Sequence, residues 1–430
     1  MDKKIKVLFI CDDIRLNTGV GIQARKLLTG LVKTDKYEVI NAGCALNHQN
    51  LNSLMYEGVL IYPVKSSKAQ GDKNVIRFLI SREKPDIVVP FGDPRFFYYL
   101  FEMDDEIREH SKIVYYHTWD NDPFPKFNVP FYKACDSLVM ISEFSYNLIK
   151  ENIDIPCYLI QHGYDSKEFY PLDVEEIKLE REHLRKLTTL KKLDFVIFWN
   201  NRNVSRKRPG DVLMIFKEFY KDHPNSLLLM NTDPIDIEGI DMLKFHKDLI
   251  EEQIPIIFNF SRIDSQRLNL FYNVADVTIN IAYNEGFGLC VGESLLAETP
   301  VIATMTGGMT EQMSCSKHYE EILPDIEGKG REGGVEEIVF GVLLGPTVRS
   351  LFGVIGAPYI YQDYVSCAQV LQALNYLYDQ KDYSKEIGKK GREFIIQNFS
   401  IDKVIKKWDE VLTEISSKSS LFKRVKILVV

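Results

Sequence analysis

Short apolar runs separated by helix-prone stretches recur in two sets along this chain, and that alternation constrains its fold more than any other feature. In the first half the runs are Ile5–Cys11, Glu38–Asn41, Val59–Val64, Asp86–Gly92, Lys112–Thr118, Ser137–Ser142 and Cys157–Gly163. In the second they are Leu193–Trp199, Ser226–Met230, Ile256–Phe260, Asp276–Ile281, Val301–Thr304 and Ile338–Leu344. Their Val, Ile and Tyr content and near-continuous hydrophobicity describe strands buried on both faces, hence parallel, doubly wound sheets. The expectation is an α/β chain of two Rossmann-like domains. Such sheets bind ligands beyond the carboxyl ends of their strands, so the residues just after each run are the candidates for function.

The densest of these places is Asn284-Glu285-Gly286-Phe287-Gly288-Leu289-Cys290-Val291-Gly292-Glu293, which reads as strand, loop and helix. Gly286 and Gly288 let the backbone turn tightly and approach a ligand. The helix that follows opens with unpaired N–H groups and partial positive charge, which suits a phosphate. Glu285 lies in the loop and Glu293 about a turn into the helix. Two acceptor-only groups flanking an anion site fit a nucleotide sugar, with its central diphosphate and a hydroxyl-bearing ring on each side. The plainer alternative makes Glu293 a surface acid and Glu285 a complement to the helix dipole. The Thr306-Gly307-Gly308 loop downstream favours the ligand reading.

Other strand ends carry weaker signals. Asn17-Thr18-Gly19-Val20-Gly21 is a Gly-rich turn into a helix, without the dinucleotide spacing. His117, in His117-Thr118-Trp119-Asp120, is by itself better explained by a structural hydrogen bond. Asp93 ends the neighbouring strand and is an acceptor-side candidate. After the first strand of the second set, the basic run from Arg202 to Arg208 is placed to neutralise a diphosphate, or else forms a solvated turn.

With these residues in hand, the chain resembles the retaining glycosyltransferases of family 4, whose E-x7-E motif reads here as Glu285…Glu293. The resemblance runs from Lys6 to about Trp408. It implies the GT-B architecture, two Rossmann-like domains facing across a cleft, and donor binding mostly on the second. It gives Glu285 the donor sugar hydroxyls, Glu293 the ribose, and the backbone from Phe287 to Cys290 the sugar and diphosphate. Gly19 and Gly21 would lie beneath the diphosphate, and His117 would touch the sugar. Arg202 and Lys207 match the family's phosphate-facing cations. The glycine that often follows that lysine is replaced by Arg208-Pro209, which leaves the loop's shape open.

Composition agrees with a globular enzyme: 45% hydrophobic and 27% charged residues over 430 positions. A net charge of −8 argues against a nucleic-acid binder. Seven scattered cysteines without a C-x-x-C pair fit reduced thiols, not a disulfide framework or zinc site. No signal peptide or apolar run of spanning length is read, so the expected location is cytoplasmic. The tail Leu421–Val430 mixes three cations with apolar residues, which leaves a peripheral membrane contact open beside simple packing.

The expected domains are residues 1–188, 189–398 and a returning C-terminal helix with tail, 399–430. Asp173–Leu193, charge-rich and helix-prone, reads as the hinge. Two insertions depart from the family: Ser316–Glu337, charged, and Thr347–Gln362, too apolar for a free loop and so expected to pack on the domain or a partner. Three closing helices are read at about Cys367–Asp379, Tyr383–Gln397 and Ile401–Ser416. The expected reaction moves a sugar from a nucleotide diphosphate sugar to an acceptor hydroxyl with retention, without cofactor or obligatory metal. The acceptor would be a glycan or lipid-linked saccharide. Transfer to a modified base of viral DNA, a GT-B epimerase or phosphorylase, and a non-catalytic adaptor with a relic site are the rivals. The donor, the oligomeric state and the insertions' roles stay open.

Overall fold

The computed structural model describes residues 3–65, 70–250, 253–314, 335–337 and 340–418. The basic C-terminal tail and most of the charged insertion lie outside these residues. The chain divides into two compact units. One holds the chain up to Gly163, Gly353–Ile360 and the chain from Ile401 on; the other holds Tyr164–Phe352 and Tyr361–Ser400.

The first unit is built on strands β1 (Ile5–Asp12), β2 (Tyr37–Cys44), β3 (Leu54–Tyr56), β4 (Val59–Pro63), β5 (Ile87–Gly92), β6 (Lys112–His117), β7 (Ser137–Met140) and β8 (Cys157–Leu159). They lie in the order β3-β4-β2-β1-β5-β6-β7-β8. All neighbours pair in parallel except β3, which runs antiparallel to β4 at the sheet edge. The central strands are apolar on both faces because helices cover both, which is why their runs show no alternation. The helix Ile401–Ser417 packs in this unit through Val404, Trp408 and Leu412. Trp408 sets its ring edge against Tyr116 at 4.9 Å. Asp409 accepts from the Tyr37 hydroxyl at 2.7 Å.

The second unit is built on β9 (Phe195–Asn200), β10 (Ser226–Asn231), β11 (Ile256–Asn259), β12 (Val277–Asn280), β13 (Val301–Thr304), β14 (Val335–Glu337) and β15 (Gly341–Leu344), in the order β11-β10-β9-β12-β13-β15-β14. Only β14 is antiparallel to its neighbour. The core beneath it includes Trp199, Phe195, Phe216 and Leu374.

Three features differ from the sequence reading. The helix Val174–Lys186 is no hinge: it belongs to the second unit, where Arg181 pairs with Asp276 at 2.9 Å and Glu180 with Arg267 at 2.6 Å. The division therefore falls at Gly163/Tyr164 and not near residue 188. Second, the apolar insertion is a β-hairpin of β16 (Val348–Val354) and β17 (Ala357–Tyr364). Arg349 anchors its base on buried Asp363 at 3.0 Å and lies over the Tyr361 ring. Third, Leu351, Phe352, Val354 and Ile355 are not buried against the chain, which leaves the partner half of that expectation open. They stay exposed, Ile355 completely, because a two-stranded ribbon has too few neighbours to cover both faces. Tyr359 does pack, edge-on to Phe127 at 5.1 Å. Among the described residues no helix is long and apolar enough to cross a membrane.

Candidate functional site

The Glu285 loop follows β12, and the helix Leu289–Leu296 follows the loop. Gly288 holds that helix's start at φ +81, a conformation that favours glycine. No side chain caps the helix and its first turn carries no acid, so its N-terminus keeps its positive end for a ligand. Behind the loop sits the turn at Gly307 and Gly308. Gly308 N–H donates to the Gly286 carbonyl at 3.2 Å, and a Cβ on Gly307 would lie 1.8 Å from the Glu285 carbonyl oxygen. The two loops thus rest backbone to backbone, which fixes where Glu285 emerges. The Phe287 side chain points into the core, stacked on Tyr164 with Phe399 at its edge. Its side chain is thereby buried.

Cations converge on this loop from the end of β9. Lys207, in a short helical turn at Ser205–Lys207, is buried and its Nζ binds Glu285 Oε2. Arg206 Nη1 joins the same oxygen at 3.0 Å and also donates to the Asn284 carbonyl at 3.0 Å. Arg208, where the family often has glycine, adopts φ +55 and is held there by Asp211 at 2.7 Å and the Val365 carbonyl at 2.9 Å. The turn is left-handed here with an arginine in it. Arg202 is placed differently from Lys207: 60% exposed, it pairs with Asp236 at 2.9 Å and Glu238 at 3.1 Å. Arg206 was inside the basic run but not singled out, since nothing in spacing alone separates it from its neighbours.

Glu293 is buried and accepts from the Tyr272 hydroxyl at 2.7 Å, while Tyr272 accepts from Asn200 Nδ2 at 2.7 Å. Tyr272 carried no sequence signal, because it looks like one more core aromatic. Cys290 Sγ takes a hydrogen bond from Asn280 Nδ2 at 3.2 Å, and burial pushes its thiol up to about 11, so it stays protonated.

In the first unit the candidates are more internally engaged. The helix Gly19–Lys33 begins at Gly19 with Thr18 as its cap, and Gly21 N–H donates to Thr18 Oγ1 at 3.0 Å. That amide is engaged by the helix cap. Gly21 is needed for space: a Cβ there would sit 2.7 Å from the Leu16 carbonyl. Thr18 in turn donates to Asp12, whose burial raises its pKa. His117 is wholly buried, its Nε2 3.0 Å from the Tyr132 hydroxyl, and burial lowers its pKa to about 3. Its Nδ1 is buried without a hydrogen-bond partner. It is a neutral imidazole and can orient but not protonate. Asp93 caps the turn Pro94–Phe96 and is bound on both oxygens by Arg95.

No family model matches the chain. It is 26% identical over 178 residues to an alpha-monoglucosyldiacylglycerol synthase of Acholeplasma laidlawii, covering 41% of this chain and 43% of that protein. It is 23% identical over 211 residues to a trehalose synthase of Thermococcus litoralis, covering 47% and 40%. The chain thus spans less than half the length of the curated relatives it matches. Among solved structures, the sucrose-phosphate synthase of Thermosynechococcus elongatus superposes with a TM-score of 0.71 at 13% identity, over 97% of this chain and 100% of that one. HepE of Anabaena, solved with UDP and glucose, gives 0.66 at 14% identity, over 95% and 99%. These likenesses agree with the sheet topologies above: the chain has the two-Rossmann fold of the GT-B glycosyltransferases.

Proposed function

We propose that the chain is a retaining glycosyltransferase that moves a sugar from a nucleotide diphosphate sugar to an acceptor hydroxyl. The observation that carries this reading is the convergence of Lys207 and Arg206 on Glu285 beside an uncapped helix start, with Glu293 one turn inside that helix. In the reaction the anomeric C1–O bond to the diphosphate breaks and a C1–O bond to the acceptor forms on the same face. Negative charge grows on the leaving phosphate, which Lys207 and the amides from Phe287 to Cys290 would stabilise. Arg202 would join by exchanging Asp236 and Glu238 for phosphate oxygens. The departing phosphate oxygen takes the acceptor proton. Glu285 orients the sugar hydroxyls, and Glu293 binds the ribose.

A glycan or lipid-linked acceptor is the reading we favour, supported by the Acholeplasma relative's name as a glycolipid synthase. Fixed cations do the work of a metal in this scheme. The test is a panel of nucleotide sugars screened by thermal shift, where a tight donor should raise the melting temperature by several degrees. The stabilising donor is then assayed with saccharide and glycolipid acceptors in EDTA. Glycoside formed in EDTA with unchanged anomeric configuration supports the proposal. Release of free nucleotide without glycoside would point to an epimerase or phosphorylase instead.

A further inference from the structure

Three neighbouring strands of the second sheet end on asparagine: Asn200 on β9, Asn231 on β10 and Asn259 on β11. The parallel register sets them side by side. Asn259 Nδ2 donates to Asn231 Oδ1 at 2.7 Å, and Asn231 Nδ2 donates to Asn200 Oδ1 at 2.8 Å. Asn200 Nδ2 donates to the Tyr272 hydroxyl at 2.7 Å, and that hydroxyl donates to Glu293 Oε2 at 2.7 Å. The polarity of this chain is set at one end. An ionised carboxylate only accepts, so Tyr272 must donate to it, its oxygen must accept from Asn200, and each amide is oriented in turn. Hydrogen bonds aligned head to tail polarise one another, so the set is stronger than its members taken singly.

A structural ladder tying strand ends together would explain the three amides. It would not explain why the ladder terminates, through a fully buried phenol, on the carboxylate at the candidate donor site. We propose that Tyr272 and the Asn200–Asn231–Asn259 ladder are positioning residues for Glu293, holding its carboxylate in the one orientation that meets the vicinal hydroxyls of the donor ribose. This rests on the reading of Glu293 as the ribose-binding acid. The ladder makes recognition of that diol a property of the sheet edge and not of one side chain.

Calorimetric titration tests it with UDP, ADP and GDP, and with the 2′,3′-dideoxy form of whichever binds. The wild type should prefer the ribonucleotide by at least about tenfold, the scale of one hydrogen bond to a charged group. Glu293→Ala should abolish that preference. Tyr272→Phe should cut it to threefold or less and Asn200→Ala to an intermediate value, while dideoxynucleotide affinity stays unchanged and certifies an intact pocket. If Tyr272→Phe does not fold, half-buried Asn200→Ala decides alone. Loss of preference in Glu293→Ala with full preference kept in the ladder variants would overturn the inference and leave the ribose role standing. A wild type that binds none of the nucleotides, or does not discriminate against the dideoxy form, would overturn the ribose role and the inference with it.

Discussion

Lys207 and Glu285 form a buried ion pair across the candidate site, their side chains 9% and 11% exposed, with Arg206 on the same carboxylate oxygen. A charge pair taken this far out of water is weak support for stability, because desolvation offsets much of its attraction. Its position at a strand end beside a phosphate-suited helix fits the chemical role proposed for it.

Lys207→Met should therefore act on two separable quantities. Activity should fall by roughly 10²–10³ in kcat, the scale for losing one preorganised charge-stabilising donor. Stability should fall by less than the roughly 3 kcal/mol that stranding a buried charge costs, because Arg206 stays on Glu285. Adding Glu285→Gln should return part of the stability and none of the activity. Denaturant unfolding and steady-state kinetics on the single and double variants measure both. A kcat loss below tenfold would reduce the basic run to a structural turn.

Gly307→Ala should disable the site without touching a ligand. Its φ of +47 is a left-handed conformation, and the new methyl would collide with the Glu285 carbonyl oxygen. We expect about 1–3 kcal/mol of destabilisation and a donor affinity at least tenfold weaker. Gly58→Ala, at φ +82 in the first unit, is the control: comparable strain with donor affinity unchanged. Equal donor affinity in both variants would detach the Gly307 turn from the site.

Stability should decline on mild acidification. Burial lowers the pKa of both His117 and His162 to about 3, while the unfolded chain takes up their protons near 6.5. Between those values the unfolded state binds more protons, so the stability from each neutral ring is complete above pH 6.5 and is lost as pH falls toward 3. The slope approaches about 1.4 kcal/mol per pH unit for each ring. Urea unfolding from pH 7 to pH 4.5 measures it. The slope should flatten in His162→Gln; an unchanged slope in that variant would show that its ring is not a neutral buried group.

The hairpin of β16 and β17 should be dispensable for the nucleotide. Its exposed Leu351, Phe352 and Ile355 are each worth about 1.5–3 kcal/mol if covered, which suits an acceptor or a second subunit. Replacing residues 347–362 with a Gly-Ser linker should leave donor affinity within about threefold while changing acceptor use or mass in solution. Calorimetry and light scattering on the variant decide. Collapse of donor binding in a folded protein would place the hairpin in the donor pocket.

The order of elements was legible in the sequence, because a strand buried on both faces writes itself as an apolar run whatever its neighbours are. The Glu285 loop and its helix were legible for the same local reason: glycine conformation, helix start and carboxylate spacing are all set within ten residues. The short antiparallel strands β3 and β14 were not, since three residues gain their pairing only from the sheet beside them. Nor was the choice of Arg206 over Arg202 as the partner of Glu285, or the capture of the Gly21 amide by Thr18. The asparagines were visible at the ends of their runs, yet their meaning lay in the register that sets Asn200, Asn231 and Asn259 side by side. Local backbone preference and hydrophobic period are properties of neighbouring residues, so the sequence determined the elements. Which polar group meets which depends on long-range pairing across the sheets, and only the tertiary structure decided that.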